Sequence, residues 1–159
     1  MITMENNVTW EASLNKLLAT VEVVATNVKG RHWLVAGDAF DSTHILLDRV
    51  WKTLLGGADK IAETMRVLAM TPETSSKVWR DRSYIQPDDL LEAKRLNNTY
   101  LFSEDTRNEL NTIIAIVHDI IAEPDMDATF ESDLTAFTSE LRHHILFLDG
   151  MIQNWNYAK

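Results

Sequence analysis

The chain has no cysteine, which excludes disulfides and thiolate metal sites and fits a reducing interior. Breakers are scarce as well, with three prolines and five glycines in 159 residues. The long stretches between them, rich in Ala, Leu, Glu and Asn, favour long helices. No apolar run approaches the roughly 20 residues needed to span a bilayer. Met1 to Asn7 has neither the basic region nor the apolar core of a signal peptide, so no membrane partner and a cytoplasmic location are expected. Positive charge is also in short supply: 15 Lys and Arg against 24 Asp and Glu leave a net charge of −9. Lys16 is the first basic side chain and Lys159 alone follows Arg142, so neither end reads as a basic arm. Direct DNA binding, which needs cations to neutralise phosphates, is not expected unless Mg(II) bridges or a local basic face forms. An acidic surface instead concentrates cations.

What is present is helical periodicity. The length suits one domain over 1–159 with a proper core. The first helix is expected from about Thr9, a plausible N-cap, to Val35, with Leu14, Leu17, Leu18, Val21 and Val24 as its apolar stripe. Gly37, Asp38, Asp41 and Ser42 form a turn. A second helix is expected from about Ser42 to Ala69, stopped by Thr71 and Pro72. A polar connection over 73–87 and a short helix from Asp88 to Leu96 follow. The third long helix is expected from about Ser103 to Ala122, broken by Pro124 and Asp125, and the fourth from about Ala128 to Asn156. The fold class is therefore all-α: a ferritin-like four-helix bundle with a short extra helix in the long connection between the second and third long helices.

Five residues carry the chemistry. His32, His44, Asp48, Asp59 and Glu63 read H-x11-H-x3-D-x10-D-x3-E across the first helical hairpin. Imidazole and carboxylate together suit a borderline divalent ion such as Fe(II), Zn(II) or Mn(II). His44 and Asp48 are one turn apart on one face, as are Asp59 and Glu63. On one straight helix, however, His44 and Asp59 stand roughly 22 Å apart at about 1.5 Å per residue. No single ion bridges that gap. An antiparallel second copy would bring each chain's acid pair to the other chain's histidines, so the pattern predicts a metal site shared between two subunits.

The stretch from Arg31 to His44, which contains His32, Trp33, Val35, Gly37, Phe40 and His44, resembles the H-W-x-V-x-G-x-x-F-x-x-x-H signature of the Dps mini-ferritins. Asp48, Asp59 and Glu63 fall at that family's remaining ferroxidase positions without gaps. The resemblance is strong over about 32–72 and loose past Leu96. It implies a hollow homododecamer, roughly 220 kDa for twelve chains of 18.2 kDa. Such a shell oxidises Fe(II) with hydrogen peroxide, or with oxygen, and stores ferric mineral as a defence against oxidative stress. It also implies that His32, His44 and Asp48 come from one subunit and Asp59 and Glu63 from its two-fold partner. Two irons would bind per shared site, the tighter on the acid pair with His32 and the second at His44 and Asp48.

Other residues admit two readings each. By resemblance Trp33, beside His32, takes up oxidising equivalents; packing at an interface is the alternative. Trp51 is expected at the same interface, and Trp10, Trp79 and Trp155 in structural roles. Gly56 and Gly57 cost helix stability, about 1 kcal/mol each against alanine. A close helix crossing at the two-fold axis or a local distortion near Asp59 would account for them. Glu123, Asp125, Asp127, Glu131 and Asp133 form the densest acidic patch. By resemblance Asp127 and Asp133 would line three-fold pores through which iron enters, whereas helix capping is the plainer role. Glu140 and His143 form a single Glu-x-x-His; a di-iron site inside one bundle needs two, so His118, His143 and His144 read as surface or packing residues. The functional alternative is a DNA-protecting shell protein with little or no ferroxidase activity.

Overall fold

Long apolar stripes with few breakers produce long helices. The computed structural model describes residues 4–90 and 97–157, and the side chains of 10–90 and 97–153. In chain order the helices are α1 (Met4–Leu34), α2 (Phe40–Val67), the short α3 (Ser76–Arg82), α4 (Thr99–Ile121) and α5 (Ala128–Tyr157). The four long helices form a closed ring in which α1 packs on α2 and α4, and α5 packs on α2 and α4. Short connections make α1–α2 and α4–α5 hairpins, while the long crossover carries α3 across α1. This is the expected ferritin-like bundle with its extra helix.

The core is one cluster. Leu14, Leu17, Val21, Val24 and Val28 of α1 meet Leu47, Val50, Leu54, Ile61 and Met65 of α2, together with Leu110, Ile113 and Val117 of α4 and Phe130, Leu134 and Leu141 of α5. Trp10 is buried among them, in keeping with a structural role. Trp155 lies outside the residues whose side chains are described.

Several boundaries differ from expectation for local reasons. Helix α1 already begins at Met4, so Thr9 lies inside it and is not its cap. Helix α2 ends before Thr71: Ala69 turns left-handed at φ 60 and the Met70 N–H donates to the Met65 carbonyl at 2.8 Å, a closure that satisfies orphan carbonyls. The short helix lies at Ser76–Arg82, within what reads as polar connection; Asp88 to Leu90 are not helical and 91–96 lie outside the described residues. Helix α4 starts one turn early. Asn98 stands at its N-terminus, and the Ser103 hydroxyl donates back to the Thr99 carbonyl at 2.7 Å within the helix.

Gly57 settles part of the Gly56–Gly57 question. A Cβ there would overlap the ring of Phe137 in α5, whereas Gly56 faces open space. The close crossing that requires glycine is thus α2 on α5 within the chain. Helix α2 runs unbroken through both and past Asp59.

Candidate metal centre

The histidine half of the motif is built by the end of one helix meeting the start of the next. His32 lies in the last turn of α1, where backbone carbonyls have no partner further along the helix. The tight connection depends on Gly37 at φ 106, where any side chain would overlap Asn97, and on Ala39 at φ 57. His44 then sits near the start of α2. Its Nδ1–H donates to the His32 carbonyl at 2.9 Å, and the His32 Nδ1–H donates to the His44 carbonyl at 2.9 Å. The two rings stack 3.8 Å apart with an interplanar angle of 22°. Phe40 also stacks on His44, with ring centres 5.4 Å apart.

This reciprocal pairing has a chemical consequence. A carbonyl only accepts, so each Nδ1 must carry the proton, and in the neutral ring each Nε2 keeps its lone pair. Metal-ligating histidines are held in the same way, by a hydrogen bond from the nitrogen that does not bind the ion. Asp48 follows one turn after His44 and is half-buried. Its carboxylate lies 2.6 Å from the Lys52 ammonium, which holds it below the usual carboxylate range. Nearby, the Lys29 ammonium lies 3.6 Å from the centre of the Trp51 ring and 5.8 Å from that of Trp33.

Asp59 and Glu63 are elsewhere. Both are exposed on the same continuous α2, on the order of 20 Å along the axis from His44, and neither has a hydrogen bond or ion pair among the described residues. The structure therefore brings His32 and His44 together, with Asp48 one helical turn beyond His44 and paired with Lys52, and leaves the acid pair apart. Among the described residues no group of three His, Asp or Glu side chains is placed to hold an ion. The donor set as a whole, two imidazoles and three carboxylates, fits Fe(II) chemically.

Several of the other singled-out residues have partners within the chain. Asp127 Oδ1 accepts from the N–H groups of Thr129 and Phe130 at 2.9 and 3.1 Å, capping α5. Asp133 accepts from the Thr64 hydroxyl at 3.1 Å and lies 3.7 Å from the Lys60 ammonium, tying α5 to α2. His144 Nε2 is 2.8 Å from the Thr53 hydroxyl, and burial lowers its pKa. His143 is exposed, and His118 lies 3.3 Å from Arg142 on the surface.

Sequence reasoning missed two buried polar side chains beside the site. Arg31, only 1% exposed, forks onto Glu109 at 2.6 and 2.8 Å and also reaches Asp88 at 2.7 Å and Thr106 at 3.1 Å. Asn98, also 1% exposed, donates through Nδ2 to the Leu34 carbonyl at 3.0 Å and accepts from the Ala36 N–H at 2.9 Å. An arginine beside a motif normally reads as a surface residue, and nothing local in the chain marks either partner.

No family model matches this chain. It is similar to the Dps of Thermosynechococcus elongatus, with a TM-score of 0.81 at 20% identity over 91% of this chain and 90% of that one. The chain has a Dps-type mini-ferritin fold. Antigen TpF1 of Treponema pallidum superposes with a TM-score of 0.86 at 17% identity, covering 96% of each chain. Among curated proteins, the DNA protection during starvation protein of Halobacterium salinarum is 29% identical over 109 residues, 69% of this chain and 54% of that protein. The chain spans about half the length of the curated relatives it matches. Among the described residues no helix is long and apolar enough to cross a membrane.

Proposed function

We propose that this Dps-type protein stores and detoxifies iron by oxidising Fe(II) at sites shared between two-fold related subunits of a hollow homododecamer. The observation that carries this reading is the split ligand set. The junction of α1 and α2 presents two imidazoles with their Nδ1 protons tied off, and α2 leaves an acid pair exposed, and unpartnered among the described residues, far along its axis. A two-fold axis perpendicular to α2 sets a second α2 antiparallel to the first and makes two complete sites from two such halves. Exposed apolar side chains around the histidines, Trp33 at 70%, Phe40 at 47% and Ile45 at 43%, support a covering partner at this end.

In this reading Fe(II) is the substrate. Asp59 and Glu63 of the partner subunit, with His32, hold the first ion; His44 and Asp48 hold the second once Lys52 gives way. Each Fe(II) releases one electron to hydrogen peroxide. The O–O bond breaks, and both oxygens leave as hydroxide. Supplying both electrons from one site avoids a free hydroxyl radical. Oxygen is the alternative oxidant. Trp33 stands beside His32, where it can take up a stray oxidising equivalent as well as pack at the interface. Asp127 and Asp133 are proposed to line a pore in addition to their contacts within the chain.

The relative named for DNA protection raises the second reading, a shell that shields DNA with little ferroxidase activity. With a net charge of −9, protection by removing iron and peroxide is the better supported route. Size-exclusion chromatography with iron detection, after Fe(II) and then peroxide are added to metal-free protein, tests this. Ferric iron should co-elute in bulk with a species near 220 kDa, which is about twelve chains. A large shell without iron, retained on DNA at low salt, would support the second reading instead.

A further inference from the structure

We propose that Arg31 and Asn98 are positioning residues that set the register of the α1–α2 hairpin and thereby lock His32 and His44 in the tautomer that leaves both Nε2 atoms free. The functional part of this proposal rests on the metal-site reading above. The helical ladder of α1 closes at the Arg31 carbonyl, and the carbonyls beyond it have no helical partner and find others. The Arg31 carbonyl takes the Val35 N–H at 2.8 Å, the His32 carbonyl takes the His44 ring, and the Leu34 carbonyl takes the Asn98 amide. The histidine lock is therefore one part of a helix-end closure whose other part comes from the start of α4. Asn98 adds its own N–H to the Ala36 carbonyl at 3.1 Å, so the connection is pinned at three atoms.

Arg31 pins the other side of the same turn. Its two-pronged contact with Glu109 fixes both the rotation and the axial position of α1 against α4, because a guanidinium fork tolerates little displacement. Asn27, one turn earlier, donates to the same Glu109 carboxylate at 2.9 Å and accepts from the Asp88 N–H at 2.8 Å. The reciprocal histidine bonds need this register. An α1 shift of about one residue, roughly 1.5 Å along the axis, would move the His32 carbonyl out of reach of the His44 Nδ1–H and break both bonds together.

The test uses the assembled protein and two metal-free or metal-only readouts. Asn98→Ala removes the side-chain pins; Arg31→Lys keeps the charge but loses the fork. Assembly mass is measured first, then the tautomers of the imidazoles by NMR of 15N-histidine-labelled, metal-free protein, then Co(II) affinity by titration. The parent should show both imidazoles as single Nδ1–H tautomers. Each variant that assembles should show a tautomer mixture and bind Co(II) about 10- to 100-fold more weakly, the usual cost of losing an outer-shell orienting contact. Assembled variants with unchanged tautomers and affinity would overturn the proposal. A parent with locked tautomers that does not bind Co(II) would sink the metal-site reading while leaving the register role supported.

Discussion

The two ends of α2 differ in how much of their chemistry the chain completes by itself. Near the N-terminus, His44 is bonded, stacked and backed by a buried polar clamp from α1 and α4. Four turns on, Asp59 and Glu63 stand exposed with no hydrogen bond or ion pair among the described residues. Orienting an imidazole takes a second hydrogen bond, which one chain can supply. Bringing an acid pair to it takes a second helix running the other way, which one chain cannot. The contrast marks where folding ends and assembly begins.

The largest effect should come from removing the acid half. Asp59→Ala should lower Co(II) or Fe(II) affinity by about 100-fold or more, above the usual cost of an outer-shell contact, while the histidine tautomers and the assembly mass stay as in the parent. Calorimetric titration of metal-free protein checks it. An unchanged affinity would show that the histidine end binds metal without the acid pair.

Gly57 and Gly56 sharpen the contrast between inner and outer faces of the same helix. Gly57→Ala puts a methyl group into the Phe137 ring and should cost about 1–3 kcal/mol in denaturant unfolding. Gly56→Ala meets open space within the chain and should stabilise the helix by about 0.5–1 kcal/mol. A Gly56→Ala protein that folds but fails to assemble would place a neighbouring subunit against that face.

Asp127 separates capping from charge. Asp127→Ala should cost about 1 kcal/mol through loss of the cap, while Asp127→Asn keeps the cap and removes the charge. If Asp127 also lines a pore, the Asn variant takes up iron more slowly at unchanged thermal midpoint; equal uptake would reduce it to a cap. The smallest effect is that of His144. Burial lowers its pKa in the folded state, so the unfolded chain protonates first as pH falls through the ordinary histidine range. Stability should therefore decline slightly as pH falls through about 6.5, the unperturbed histidine value, and His144→Gln should flatten that slope in unfolding curves.

Much of this was legible in the sequence because it is written in local spacing. The helix stripes, the scarcity of breakers and the i,i+4 ligand pairs all follow from a period of about 3.6 residues. The separation of His44 from Asp59 is a matter of helix rise, and a continuous α2 preserves it. What was not legible depends on contacts across the fold. Helix α3 buries no residue, so periodicity could not reveal it. Ser103 reads as the start of the third long helix, yet it bonds backwards within α4 while Asn98 occupies the end. Asn98 reaches the α1 terminus from more than sixty residues away, and Arg31 is buried only because Glu109 and Asp88 arrive from elsewhere. Polar burial of that kind is a property of the packed bundle, not of any window of sequence.

Subunit complementation tests the central claim most directly. One variant carries His32→Ala and His44→Ala, the other Asp59→Ala and Glu63→Ala, and each alone should be inactive in peroxide-driven Fe(II) oxidation. If the sites are shared across a two-fold axis, dissociating and reassembling an equal mixture restores one intact site in every mixed pair. That is about a quarter of the parent's sites for random pairing, and oxidation should return to about that level. If the reassembled mixture stays as inactive as its parts, the ligands do not act across subunits and the account fails.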